Sequence, residues 1–102
     1  MNIKQLRKFL EKEIDKYAPE NIEFDSLITY DANNQKYLYL HFKDRGDDVT
    51  SIVNLTKKLL KKKKIKYCMP REDDYKSLIW IPYDQKIKYI IHGLDEIYEL
   101  CG

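Results

Sequence analysis

The stretch from Asp47 to Lys66 constrains the fold most, because it combines one apolar helical face with a terminal run of lysines. Its apolar side chains recur every three or four residues, which places them on the same side of a helix. This face is formed by Val49, Ile52, Val53, Leu59 and Leu60, together with Thr56. Asp47 or Asp48 is suited to cap the first turn, and the dipole of a helix favours lysines at its carboxyl end. A helix with a single apolar stripe must pack against another layer of secondary structure.

The first half of the chain predicts a helix and a β-hairpin. The same helical spacing runs from Ile3 to Tyr17, with Asn2 as a cap and Pro19 just beyond the end. Across residues 21–30 the apolar side chains alternate instead, which is the period of a strand. Asp and Asn residues within 31–35 favour a turn, and residues 36–42 return as a second strand.

The second half predicts three more strands and a short helix. The strands are expected at 65–69, 76–83 and 86–92, and the helix at 94–102, with Leu94, Ile97, Tyr98 and Cys101 on one side. The predicted order is therefore α-β-β-α-β-β-β-α within a single domain, residues 1–102. We expect an α+β two-layer sandwich, in which an antiparallel sheet of four or five strands has two long helices on one face.

Composition excludes several classes of protein. Two cysteines, Cys68 and Cys101, do not make a disulfide framework, and no Cys/His cluster has the spacing of a zinc site. The first residues contain no apolar signal core, and no run reaches the length of a membrane span. A cytoplasmic, intracellular protein without metal or cofactor is the expectation.

The lysines form a local basic segment in a chain of net charge +2. Residues 1–50 carry eight Lys/Arg and ten Asp/Glu, whereas residues 51–102 carry eleven and seven. The excess comes from Lys57, Lys58, Lys61, Lys62, Lys63, Lys64 and Lys66. Such a segment is suited to binding phosphates of RNA or DNA, although a nearly neutral chain also fits a solvated helix end.

The second strand of the predicted hairpin has two different faces. One is formed by Leu38, Leu40 and Phe42, which we expect to meet the helices, and the other by Tyr37, Tyr39 and His41. Trp80 joins the second face if the strand register allows it. Exposed aromatic side chains anchor protein interfaces or stack on bases, while a covered set would only shield the sheet.

No catalytic residue is predicted. The acidic cluster Glu72, Asp73 and Asp74 lies in a loop, and the sequence Asp74-Tyr75-Lys76 lacks the second acidic residue that a nuclease hairpin needs on its preceding strand. Cys68 and His41 have no signature of nucleophilic catalysis around them. We therefore expect a protein that is not an enzyme.

The segment of residues 75–98 resembles the closing strands of RelE/ParE-type toxins over about a quarter of the chain. That family begins with a strand and two helices and carries basic catalytic residues in its last strands. This chain begins with a helix, and Asp95, Glu96 and Glu99 make its tail acidic. The resemblance would imply a small ribonuclease, which is the least favoured alternative.

The favoured hypothesis is a non-catalytic binding protein that acts through a surface. Its expected partner-binding residues are Tyr37, Tyr39, His41, Trp80, Glu72, Asp73 and Asp74. A small phage- or virus-encoded inhibitor of a host nucleic-acid-handling or defence protein fits this size and composition, and a homodimer through the aromatic face is a further hypothesis. The alternative is an RNA- or DNA-binding module that uses Lys57–Lys66.

Overall fold

The computed structural model describes residues 2–17, 22–44, 49–69, 78–91 and 97–100. Their elements follow the order α1 (Ile3–Tyr17), β1 (Ile22–Tyr30), β2 (Lys36–Asp44), α2 (Thr50–Lys62), β3 (Leu78–Pro82), β4 (Tyr89–Ile91) and β5 (Ile97–Glu99). Strands β1, β2 and β3 form an antiparallel sheet with β2 at its centre, and β4 pairs with β5 in a separate two-stranded sheet. The predicted α+β class with two long helices is confirmed.

The predicted sheet of four or five strands is not confirmed, because the described strands form one sheet of three and one of two, and residues 65–69 do not form the strand expected there. In this segment Tyr67 and Cys68 take part only in isolated bridges, and the backbones of Cys68 and Trp80 exchange hydrogen bonds of 2.8 and 2.9 Å. Two contacts hold the backbone of Ile65 and Lys66 away from β3. The Ile65 amide donates back to the Leu60 carbonyl at the end of α2, and the Lys66 backbone is bound by the Gln85 side chain. The segment therefore lines the edge of β3 without becoming a full strand.

The predicted terminal helix is also wrong, because Ile97–Glu99 forms strand β5. Tyr98 is buried, while Ile97 on its neighbouring position is 55% exposed, so the side chains alternate as in a strand. The Leu100 amide donates to the Lys88 carbonyl at 3.1 Å and extends the pairing with β4. Pairing with a strand earlier in the chain outweighed the local helical spacing.

One face of the three-stranded sheet packs against both helices, as predicted for Leu38, Leu40 and Phe42. The register places Leu38 opposite Ile81 and Leu40 opposite Ile79, so these side chains share one face. Their core partners on the helices are Ile3, Leu6, Leu10 and Ile14 of α1, and Ile52, Val53 and Leu60 of α2. This cluster is the main core of the protein.

The helix termini differ in how they are capped. At α1, the Gln5 amide donates to Asn2 Oδ1 at 2.8 Å and the Asn2 amide donates to Gln5 Oε1 at 3.0 Å, a reciprocal capping box. Asp47 and Asp48, which were predicted to cap α2, lie outside the described residues. The helix begins at Thr50, and its N-cap residue is Val49, whose side chain cannot accept a hydrogen bond.

The opposite face of the sheet is partly covered by a second, smaller core. Tyr37 and Trp80 are each 4% exposed and pack with Cys68, Ile90 and Tyr98. The β4–β5 hairpin supplies Ile90 and Tyr98, with the Trp80 and Tyr98 ring centroids 5.2 Å apart in an edge-to-face arrangement. The expectation that Tyr37 and Trp80 are exposed for partner binding is therefore wrong.

Asp31 joins the β1–β2 turn to β4. Its carboxylate is 8% exposed, and Oδ1 accepts from the amides of Asn33 and Gln35 at 2.9 and 2.8 Å. Oδ2 accepts from the Ile91 amide at 3.2 Å, while the Ala32 amide donates to the Ile91 carbonyl at 2.9 Å. These contacts fix β4 of the β4–β5 pair to the β1–β2 turn, beside the second core.

The two faces predict different costs for leucine truncation. Leu40→Ala removes a fully buried side chain and should lower the free energy of unfolding by about 2–5 kcal/mol. Leu27→Ala, on the neighbouring strand but 46% exposed on the other face, should cost less than about 1 kcal/mol. Urea titration monitored by circular dichroism measures both, and equal costs would contradict the assignment of faces.

Candidate functional site

The longest run of one charge among the described residues is the lysine ridge, which we define as Lys57, Lys58, Lys61, Lys62, Lys63, Lys64 and Lys66. Lys57 is half-buried, and the other six are exposed. Lys63 Nζ lies 4.9 Å from the centroid of the Phe9 ring on α1, a cation–π contact between the two helices. The ridge therefore adjoins α1.

The backbone turns sharply within the ridge at Lys64. Its φ of 57° is left-handed, and it follows the C-cap Lys63. The Lys64 amide donates to the Lys61 carbonyl, and the Ile65 amide to the Leu60 carbonyl, which together form a Schellman motif. Glycine is the usual residue at this position because an L-residue is strained there by roughly 1–2 kcal/mol. The turn thus presents a lysine where backbone stability favours glycine.

Gln85 fixes the last lysine of the ridge. Its Oε1 accepts from the Lys66 amide, and its Nε2 donates to the Lys66 carbonyl at 3.2 Å and to the Pro82 carbonyl at 2.8 Å. The backbone of Lys66 is bound on both sides, so its exposed side chain projects from an anchored position.

Charge is separated between the helical and strand layers. Residues 49–69 contain seven lysines and no acidic residue, and residues 2–17 contain five basic and three acidic residues, so this helical layer carries a net +9. The described strands and turns (22–44, 78–91 and 97–100) contain four lysines and six acidic residues, a net −2. The formal charge of +2 for the whole chain hides this separation.

The single arginine of α1 is engaged internally, so lysines provide the exposed charge of the helical layer. Arg7 Nε lies 3.2 Å from Glu11 Oε1 and 2.9 Å from Ser26 Oγ, and Arg7 Nη2 donates to the Ser26 carbonyl at 2.8 Å. Four exposed lysines recur every four residues along α1: Lys4, Lys8, Lys12 and Lys16. This second row of lysines was not recognised in the sequence, because three acidic residues lie between Lys8 and Lys16.

The predicted aromatic face is reduced to its part near β1. Tyr39 and His41 are half-buried with ring centroids 6.2 Å apart, and Leu27, paired with Tyr39 across the strands, is 46% exposed. We call Leu27, Tyr39 and His41 the reverse-face patch. The predicted acidic residues Glu72, Asp73 and Asp74 lie outside the described residues. Leu27 was missed in the sequence because the pattern of β1 alone does not show that Leu27 pairs with Tyr39 across the strands.

Tyr37 is the residue of that face whose ionisation the structure changes. Burial raises the pKa of its phenol above the ordinary 10.0, and the nearby Asp31 carboxylate raises the pKa further. A hydrogen bond with the Thr29 side chain acts in the opposite direction. The neutral phenol is therefore the form that the second core accommodates.

A pocket of about 450 Å³ opens where the ridge ends and α1 begins. It is lined by Asn2, Ile3, Lys4, Ile65, Tyr83 and Gln85. Lys36 Nζ lies 4.4 Å from the centroid of the Tyr83 ring, and the Tyr83 hydroxyl is buried without a hydrogen-bond partner among the described residues. No sequence pattern predicts this pocket, since its walls come from three separate parts of the chain.

Within the described residues, no three His, Cys, Asp or Glu side chains come together as metal ligands, and neither helix is long and apolar enough to cross a membrane. Comparison of the chain with protein-family models, with curated proteins and with solved structures gives no match. The residues and their geometry are thus the basis for the function proposed below.

The left-handed turn predicts opposite effects of glycine at two neighbouring lysines. Lys64→Gly should raise the free energy of unfolding by about 0.5–1 kcal/mol, because it relieves the positive φ. Lys62→Gly, within the last turn of α2, should lower it by about 0.5–1 kcal/mol through lost helix propensity. Both substitutions remove one exposed positive charge, so the loss of charge cannot explain a difference in unfolding free energy between the two variants. Urea titration measures the sign, and destabilisation by both would contradict the capping assignment.

Tyr37 predicts a loss of stability at high pH. Because its pKa is raised in the folded protein, the folded state binds this proton more tightly, so its contribution is complete below pH 10.0 and is lost as pH rises through the folded pKa. Tyr37→Phe should show a smaller fall in unfolding free energy between about pH 8 and about pH 11. Urea titrations of both proteins at each pH give the difference in unfolding free energy, in which the contributions of the other tyrosines and of the lysines cancel. An identical dependence of unfolding free energy on pH in the two proteins would contradict the burial of Tyr37.

Proposed function

We propose that this is a non-catalytic nucleic-acid-binding protein that contacts phosphates through the lysine ridge. The observation that carries the proposal is the run of residues 49–69, with seven lysines, six of them exposed, and no acidic residue. The phosphates of a nucleic acid form a regular line of negative charges that such a row of lysines can neutralise. Lysines bind them as point charges without reading the sequence of bases.

The small net charge of the chain is compatible with this proposal because electrostatic fields in salt solution are local. At physiological ionic strength they decay over roughly 8 Å. The shortest principal extent of the molecule is 20 Å, and six of the nine acidic residues in the described part of the chain lie in its strands and turns, outside the two helices. A phosphate at the ridge is therefore governed mainly by the nearby lysines.

The lysine row of α1 extends the proposed surface. Lys63 reaches the Phe9 ring, so the ridge and the exposed Lys8 and Lys12 belong to adjoining helices. Binding of several phosphates releases condensed counterions, which makes the affinity fall steeply with added salt. We expect this salt dependence to be the main signature of the activity.

Charge reversal at matched positions tests the proposal. The ridge variant Lys58→Glu/Lys61→Glu/Lys62→Glu should lower affinity for a labelled oligonucleotide by at least about tenfold and reduce the slope of log affinity against log salt by about 2–3. The control, Lys43→Glu/Lys86→Glu/Lys88→Glu, makes the same change in net charge on exposed strand and turn residues and should retain most of the affinity. Fluorescence anisotropy over a salt series measures both.

Two results would count against this function. The first is absence of a salt-sensitive anisotropy change with wild-type protein at low salt. The second is an equal loss in both triple variants, which would mean that net charge alone is responsible. Circular dichroism of each variant establishes that the fold is retained, since all six side chains are exposed.

Protein recognition through the reverse-face patch is a second candidate. The specific observation in its favour is the half-exposed Leu27 beside Tyr39 on the sheet face that the second core covers only in part. An inhibitor of a host protein would use such an apolar and aromatic surface without catalysis. A partner that binds wild-type protein and the ridge variant, but not Leu27→Arg, would support this candidate.

A further inference from the structure

The pocket at the end of the lysine ridge combines an apolar floor with cations around it. Ile3 is buried, and Ile65 and Tyr83 are half-buried, so its interior is formed by aliphatic side chains and one aromatic ring. Lys4 is exposed at its border. Lys64 and Lys66 flank Ile65 in the chain, and both are exposed. An aromatic group bearing a phosphate matches this arrangement.

The walls of the pocket are held in place by contacts already present in the free protein. Gln85 is bound to the backbones of Lys66 and Pro82, and Asn2 is bound in the capping box of α1. Lys36 lies over one face of the Tyr83 ring, and the Tyr83 amide donates to the Lys36 carbonyl at 2.9 Å. A ligand would thus enter a largely preformed site, and its volume of about 450 Å³ is within the usual range for ligand pockets.

We propose that this pocket receives an unstacked nucleobase of a single-stranded nucleic acid whose phosphates lie on Lys4, Lys64 and Lys66. The inference rests on the proposed function and adds the class of nucleic acid. In a duplex the bases are paired and stacked, so only the phosphates reach the ridge. In a single strand a base is free to leave the stack and pack against an aromatic side chain.

The location of Lys64 is consistent with this arrangement. Its left-handed turn directs the chain from the end of α2 into Ile65, which is part of the pocket floor. The ammonium group of Lys64 therefore belongs to the residue next to Ile65, which forms part of the apolar pocket surface. The phosphate and its base are separated by a single sugar, which suits such close neighbours.

Substitutions at Tyr83 test the pocket separately from the ridge. Tyr83→Leu removes the ring and keeps an apolar side chain, and it should weaken binding of labelled single-stranded DNA and RNA by about tenfold. It should change the affinity for a duplex of equal length by less than about twofold. Tyr83→Phe should retain single-strand binding, because the ring remains and the hydroxyl has no partner to lose among the described residues.

Two further variants make the result decisive. Ile65→Trp fills the pocket from its floor and should reproduce the selective loss of single-strand binding, which also covers the case in which Tyr83→Leu fails to fold. Tyr89→Leu removes a tyrosine that is 49% exposed on β4 and should bind like wild type. Comparison of DNA with RNA shows which of the two single strands the pocket prefers.

The outcomes distinguish this inference from the proposed function. If wild-type protein binds neither single strand nor duplex, the proposed function fails. If wild-type binds both equally, the ridge variant weakens both and the pocket variants weaken neither, the ridge stands and the base pocket is overturned. A preference for single strands that Tyr83→Leu and Ile65→Trp abolish, and Tyr83→Phe keeps, supports the pocket.

Discussion

Strand β2 lies between β1 and β3, so backbone pairing on both sides decides which face each of its side chains occupies. Leu38 and Leu40 are directed to the helices, and Tyr37 and Tyr39 to the opposite side. A shift of one residue would exchange the two sets, because side chains alternate along a strand. Burial of Leu38 and Leu40 among the helical side chains therefore specifies the register of the entire sheet.

This arrangement also accounts for the separation of charge. Both helices direct their apolar stripes to the same sheet face, so their polar sides form one continuous outer layer of the molecule. In that layer the lysines of α1 and α2 add to one another, although 32 residues separate the end of α1 at Tyr17 from the start of α2 at Thr50. Among the described residues, six of the nine acidic side chains belong to strands and turns, and residues 49–69 contain none. A basic surface results in a chain whose total charge is close to zero.

Two features of the ridge indicate that stability has been exchanged for surface charge. Lys64 occupies a left-handed position at which glycine is less strained, and adjacent lysines repel one another at the end of α2. Neither feature improves packing of the core. Anchoring of Lys66 by Gln85 and the cation–π contact of Lys63 with Phe9 hold the segment in place despite that cost. An anionic partner at the ridge would relieve the repulsion.

The amino-acid sequence by itself determined the two helices, the first hairpin and the inward direction of Leu38, Leu40 and Phe42, because each depends on local hydrophobic period and turn residues. It also located the lysine ridge, whose seven members lie within ten residues of the chain. The strand at Ile97–Glu99, the burial of Tyr37 and Trp80, and the pocket beside Tyr83 were decided only by tertiary structure. Each depends on contacts between segments far apart in sequence, and local periodicity carries no information about which distant segment will supply the partner.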